Sequence, residues 1–348
     1  MNKQIMLLYS SIHFVIDFSC AILVTNIITP QLTGSFSLFL AIVIYNFFAF
    51  AIQLPIGILA DKFNKNAICS ALGCILVILA FVISKFGIIS CLIAGIGNAM
   101  FHIGGGIDVL NISNKKATLP GIFVSTGALG IFWGSNFFKI GFNIEFFSIL
   151  ILILSTISLI WLYKQIKDKL NNKEPIIPNI TKKEIIVISC LILTVCLRSY
   201  VGAILSFSWK ANYILALLFV IGVILGKMLG GILGDKFGFS KVSICSLILS
   251  AILFTMAFNS SICGILGVLL FNMTMPITLS ALANILDNNK GMAFGLLTFA
   301  LFLGALPIFL GYEKELFNPL GLFTVTIISA VILSLGLKRY NELMEKEV

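Results

Sequence analysis

The chain holds two histidines, and each lies in a long apolar run four positions from a polar neighbour. One pair is His13 and Asp17; the other is Asn98 and His102. Four residues make slightly more than one helical turn, so the members of each pair share a helix face. A carboxylate beside an imidazole can take up and release a proton near neutral pH. Ionisable groups deep in hydrocarbon cost about 2.5–3.5 kcal/mol each on insertion scales, so each needs a partner or a wet cavity. Proton coupling by Asp17 and His13 is one reading of the first pair. A buried polar pair that fixes helix packing is the other. Asn98 and His102 divide the same way, between a substrate or coupling site and a structural hydrogen bond. Gly104, Gly105 and Gly106 follow directly and weaken the helix, allowing close packing, unwinding or bending. Asp108 comes next, before Lys115 and Lys116, and reads as a gate or loop contact.

Arg198 is the only arginine inside an apolar run. It stays protonated, so it must face an anion: Asp17, another carboxylate or an anionic substrate. Tyr200 follows it as a further candidate for the substrate site. Lys227, two turns before Asp235, reads as a side chain that snorkels to the interface. The eight cysteines all lie in apolar runs without metal-ligand spacing and read as small buried hydrophobes. No metal is expected, and no cofactor beyond a proton gradient. There is no His-Glu-x-x-His, no Walker-type loop and no embedded Ser/His/Asp set of recognisable spacing, so an enzyme is not expected.

The elements that position these groups follow from composition. Hydrophobic residues make up 59% of the chain and charged residues 11%, with mean hydropathy +1.10. An ordinary soluble chain carries about 25% charged residues, so the solvent here is lipid. A spanning helix needs about 20 apolar residues. Twelve apolar runs can be marked, near 6–29, 35–60, 67–84, 87–108, 120–138, 144–163, 185–208, 212–234, 242–258, 262–285, 291–311 and 320–338. The first resembles a signal peptide in position but reads as a retained span. The one long polar stretch, 164–184, carries Lys164, Lys167, Lys169, Lys173, Lys182 and Lys183 and reads as a cytoplasmic linker. It separates an N-terminal half, 1–163, from a C-terminal half, 185–348.

The net charge of +9 is distributed by topology. With the N-terminus inside, most loop lysines fall on the inner face, leaving Lys85, Lys139, Lys210 and Lys314 outside. Both termini are therefore expected in the cytoplasm, in a multi-pass protein of the inner (plasma) membrane. That asymmetry accounts for the charge without nucleic acid.

One stretch occurs twice. Gly57-Ile-Leu-Ala-Asp61-Lys62-Phe-Asn-Lys65 returns as Gly231-Ile-Leu-Gly-Asp235-Lys236-Phe-Gly238. Asp61 and Asp235 lie 174 residues apart, half of 348. The duplication implies one membrane unit built twice, a transporter architecture. Each copy reads as a latch: the glycine admits a neighbouring helix and the aspartate sits by a helix N-terminus. The bland alternative is a charged turn ending a helix. The fifth run carries Gly121, Gly127, Gly130 and Gly134, and the eleventh Gly291, Gly295, Gly304 and Pro307, as close helix packing would require.

The repeated turn resembles the signature of the major facilitator superfamily, Gly-x-x-x-Asp-Arg/Lys-x-Gly-Arg/Lys, with Asn64 and Phe239 as departures. The resemblance implies an all-α integral membrane fold, twelve transmembrane helices in two pseudo-symmetric six-helix bundles. Within the superfamily the chain is similar to the fosmidomycin-resistance exporters. His13 and Asp17 resemble that family's His-x-x-Asn-Asp segment, Gly97 to His102 its Gly-x-x-x-Phe-His segment, and Arg198 its basic residue in the seventh helix. Gly121, Gly130 and Gly134 resemble the antiporter motif, with Ser135 in place of its proline. What this implies is proton-coupled export of a small drug-like or anionic compound by alternating access, carried out by a monomer in the bilayer. Uptake of a metabolite by proton symport, and a transporter-like sensor without flux, are the rival readings.

Overall fold

The computed structural model describes residues 2–137, 144–166, 180–312 and 315–345. The apolar runs are helical, because hydrocarbon offers the backbone no hydrogen-bond partner but itself. Helix α1, Asn2–Ala21, continues through a π-helical stretch, Ile22–Ile28, and a short 3-10 turn, Thr29–Gln31. Helix α2, Ser35–Asn46, likewise passes through π-helical Phe47–Ala51 into α3, Gln53–Phe63. There follow α4 (Asn66–Val82), α5 (Ile88–Ile112), α6 (Thr118–Asn136) and α7 (Ile144–Ile166). Beyond the linker come α8 (Lys182–Ile204), α9 (Tyr213–Phe237), α10 (Phe239–Met256) and α11 (Ser261–Asn272). The last are α12 (Thr274–Ile285), α13 (Lys290–Phe309) and α14 (Pro319–Met344). Among the described residues, ten helical stretches are long and apolar enough to cross a membrane; α4 is shorter, and α6, rich in Gly, Ser and Thr, is not among the ten.

Helix starts follow capping chemistry. Thr181 and Glu184 form a reciprocal capping box at α8, while Asn212, Ser260 and Asn318 cap α9, α11 and α14. Helix α8 stops at Ile204, short of the expected 208. Trp209 then sits in a 3-10 turn, where its indole N–H donates to the Ala257 carbonyl at 2.7 Å. Large apolar side chains such as Leu59, Leu154, Ile157 and Leu335 are more than half exposed, as lipid-facing surface requires.

The described residues pack as two compact units. The first draws on Met1–Ile112, Thr126–Ile176 and Asn288–Phe299; the second on Ser113–Ser125, Ile177–Asp287 and Ala300–Val348. In sequence terms each unit holds most of one half plus a helical segment from the other. In the first, α4 and α5 cross at Gly73 and Gly97, where a Cβ on either would meet the other's carbonyl at 2.5–2.6 Å. The glycine run of α5 stays helical, so close packing is the option it takes. A Cβ at Gly104 would collide with the Asn66 carbonyl. In the second unit, Phe254 of α10 and Phe271 of α11 pack with ring centroids 5.5 Å apart, and Ser250 donates to the Gly267 carbonyl at 2.8 Å. Of the loop lysines, Lys139, Lys167, Lys169, Lys173 and Lys314 lie outside the described residues, as does most of the linker.

The two repeated turns end their helices differently. Asn64 adopts the left-handed conformation at φ 52°, which asparagine tolerates, and its N–H reaches the Ala60 carbonyl at 2.9 Å. This explains how Asn64 stands where the resemblance expects glycine. Gly238 has φ 92° and ψ 142°, a region open in practice to glycine alone. Accordingly, Asn64→Gly should leave thermal stability in detergent nearly unchanged, whereas Gly238→Ala should cost about 1–3 kcal/mol. Equal melting temperatures for both variants would contradict this backbone assignment.

Candidate functional site

Both histidines meet at the interface of α1 and α5, inside the first unit. Asp17 is 7% exposed, His13 5% and Asn98 3%. The Asn98 amide donates to Asp17 Oδ1 at 2.9 Å. His13 Nε2 lies 3.2 Å from Asp17 Oδ2, and His102 Nε2 lies 3.7 Å from Asp17 Oδ1. The two imidazoles touch, with Nε2 to Nε2 at 2.8 Å and the rings nearly perpendicular at 88°.

The tautomer follows from the partners. His102 Nδ1 lies 2.9 Å from the Asn98 carbonyl, which can only accept, so Nδ1 carries the hydrogen. In the neutral ring, Nε2 of His102 is then a bare lone pair. A second bare lone pair 2.8 Å away would repel it. The His13 Nε2–H therefore donates to His102 Nε2, with the Asp17 carboxylate alongside. Two imidazoles and a carboxylate thus share one proton's worth of space.

The cluster belongs to a longer seam. Tyr9, His13 and Asp17 recur every four residues along one face of α1. Their partners on antiparallel α5 are Asp108, His102 and Asn98. The Tyr9 hydroxyl donates to Asp108 Oδ2 at 2.6 Å, and the Asn66 amide of α4 donates to Asp108 Oδ1 at 2.8 Å. Asp108 is only 1% exposed. It is a core carboxylate of the seam, where the sequence suggested a gate or loop contact. Tyr9 and Asn66 escaped the sequence reading, although the four-residue ladder from Tyr9 to Asp17 was visible there.

Helix α6 closes over the cluster with glycines. A Cβ at Gly127 would collide with Asp17 Oδ2 and His13 Nε2. One at Gly130 would collide with the Phe14 carbonyl, and one at Gly134 would fall 2.5 Å from the Phe18 carbonyl. Gly127 is therefore a site residue that the sequence placed only among packing positions. His13, Asp17 and His102 each offer one ligand atom within 4.8 Å of the others, a set able to hold a metal ion. The sequence pointed to no metal because 13, 17 and 102 form no ligand spacing; packing alone unites them.

The remaining candidates lie in the second unit. Arg198 is 7% exposed, and its buried Nη1 has no hydrogen-bond partner among the described residues. No carboxylate pairs with it there. Tyr200 is half-buried. The Lys227 ammonium donates to the Val124 carbonyl of α6 at 3.0 Å. A Cβ at Gly304 would collide with the Cys196 carbonyl, and one at Gly121 would fall 2.7 Å from the Lys227 carbonyl.

Each repeated turn grips a helix start. In the first unit, Asp61 accepts from the Gly291 and Met292 amides at 2.7 and 2.8 Å, at the first turn of α13. In the second, Asp235 accepts from the Ala117 and Thr118 amides at 2.7 and 2.9 Å, at the first turn of α6. Orphan amides and the helix dipole both favour a carboxylate there. Gly57 lies against Gly291, and Gly231 against Ala117, so closely that a Cβ on either turn glycine would strike a carbonyl. Lys62, Lys65 and Lys236 are exposed.

No family model matches the sequence, and no curated protein matches it. Solved structures do. A variant of the E. coli fucose:proton symporter aligns with TM-score 0.67 at 13% identity, over 96% of this chain and 98% of that one. The same major facilitator superfamily transporter in its outward conformation gives 0.66 at 14%, over 95% and 98%. The human organic anion transporter gives 0.71 at 11%, over 97% and 99%. The chain therefore has the all-helical membrane fold of major facilitator transporters.

Asp61→Asn removes the charge and one of two acceptors facing α13. It should weaken this attachment by about 1–3 kcal/mol and speed hydrogen exchange at Gly291 and Met292. Exchange as slow as in the parent protein would show that the carboxylate does not hold the helix.

Proposed function

We propose that the chain is a secondary active transporter of twelve spans in two six-helix bundles, 1–163 and 185–348, joined by the linker 164–184. It works by alternating access and couples a proton to the movement of a small anionic compound. The observation that carries this reading is the convergence of His13, His102 and Asp17 in one buried cluster. With the proton present, α1 and α5 are drawn together there. When it leaves, both rings are neutral, the His13 Nε2–H still bridges to His102, and the buried Asp17 carboxylate loses its counter-charge. That loss favours a shift of the helices or the entry of another cation. Protonation thus biases packing, which is what coupling demands.

Arg198 serves as the anion's partner in this reading, since a buried guanidinium whose Nη1 has no hydrogen-bond partner among the described residues is poised to receive one. Tyr200 and Asn98 complete the substrate and coupling residues. Asp61 and Asp235 act as gate latches, gripping helix starts in one conformation and releasing them in another. The chain works as a monomer in the plasma membrane, with both termini in the cytoplasm. The fold is shared with a fucose:proton symporter and an organic anion transporter, which supports both the proton and the anion. Export follows the resemblance of the His13 and His102 segments to drug exporters. Uptake by symport is the second reading, favoured by the likeness to the symporter.

Asp17→Asn keeps the shape and removes the ionisable group. Expression should stay near normal while gradient-driven flux is abolished. The measurement is transport of a labelled compound, chosen by growth screening, into vesicles with the proton gradient imposed in each direction. Accumulation that follows the gradient's sign separates export from uptake. Unimpaired coupled flux in the variant would remove Asp17 from the mechanism.

A further inference from the structure

We infer that His13, His102 and Asp17 form a binding site for one borderline divalent transition-metal ion, of the Zn2+ or Co2+ class. The inference concerns the same cluster that is read above as the coupling centre, and it names a second cation for it. Ligand atoms around a tetrahedral ion with bonds near 2.0–2.1 Å lie roughly 3.3 Å apart. The imidazole nitrogens lie 2.8 Å apart, below that value, and His13 Nε2 lies 3.2 Å from Asp17 Oδ2, close to it, and one donor atom from each of the three residues lies within 4.8 Å of the others. The donor set is two imidazole nitrogens and one carboxylate oxygen, which suits Zn2+, Co2+ or Ni2+ better than the hard Mg2+.

The surroundings are those of a ligand set already oriented. The Asn98 carbonyl takes the Nδ1 hydrogen of His102 at 2.9 Å, so its Nε2 lone pair points into the cluster. The Asn98 amide holds Asp17 Oδ1 at 2.9 Å and leaves Oδ2 to His13. Both contacts belong to the kind of outer hydrogen bonding that fixes metal ligands. Gly127 lets the α6 backbone lie directly against Asp17 Oδ2 and His13 Nε2, where any Cβ would collide with the ligand atoms. A metal ion would take the central place now held by the His13 Nε2 hydrogen, which moves to Nδ1 or leaves as the ion binds, and its charge would offset the Asp17 carboxylate.

The test uses the full chain, purified in detergent and stripped with a chelator. Co2+ is titrated while its visible absorption is followed. One saturable equivalent, displaced by Zn2+ and indifferent to excess Mg2+, is expected. His13→Gln and His102→Gln should each weaken Co2+ binding at least tenfold, and Asn98→Ala roughly tenfold, with folding checked by gel filtration and melting temperature. No saturable binding in the parent protein, or unchanged binding in both folded histidine variants, overturns the site. Should the variants misfold, the parent protein decides: a Co2+ spectrum in which imidazole nitrogen ligation is seen and which Zn2+ abolishes supports the site, and a bound Co2+ without imidazole ligation overturns it. Gradient-driven flux in chelator-treated vesicles tests the coupling reading separately. Intact flux without metal binding sinks the metal site alone; metal binding with flux indifferent to the gradient sinks the coupling alone.

Discussion

Asp17 is a carboxylate buried in an apolar unit, held by an amide and flanked by two imidazoles. Hydrocarbon tolerates such a group only while its partners stay in place. That requirement organises the seam between α1 and α5. Tyr9 with Asp108, His13 with His102, and Asp17 with Asn98 form three rungs between antiparallel helices. Phe101 packs beside both Tyr9 and His13, with ring centroids 6.5 and 6.2 Å away, and separates the rungs with an apolar wall. The glycines of α6 then let a third helix lie directly against the carboxylate. A polar seam in a bundle of this kind specifies helix register more sharply than interdigitating leucines could, because a slipped register would leave charged groups unpartnered.

The same logic operates at the two repeated turns. A carboxylate placed against two free amides of a helix start gains hydrogen bonds and a favourable dipole together. In each unit this ties the first turn of a helix to the end of another: α13 to α3 in the first, α6 to α9 in the second. The amide contacts depend on the gripped helix for position more than for sequence, and at Asp235 the Thr118 hydroxyl donates as well. Glycine on the gripping side, with glycine or alanine opposite, brings the backbones near enough for the bonds to form.

Much of the protein was legible without coordinates. Composition set the solvent, and the apolar runs gave the helices to within a few residues, because in lipid a spanning segment has little choice but to be helical. The i,i+4 spacing placed His13 with Asp17 and Asn98 with His102, since that is a property of one helix. The duplicated turn located Asp61 and Asp235 as residues suited to a helix start. The end of α8 was misjudged because Leu205, Phe207 and Trp209 are apolar but leave the helix, Trp209 finding its acceptor on the Ala257 carbonyl.

What spacing could not disclose was which helices would face each other. Periodicity gives each helix a polar face and says nothing of its partner. The approach of His13 to His102 across 89 residues, the burial of Asp108 against Tyr9 and Asn66, and the exposure of the cluster to Gly127 are all products of packing. The sequence alone therefore determined the solvent, the helices and the inventory of costly polar groups, because each is a local or additive property of the chain. The tertiary structure alone decided that two imidazoles and a carboxylate share one cation's space, because that depends on the register of three helices brought together from distant parts of the chain.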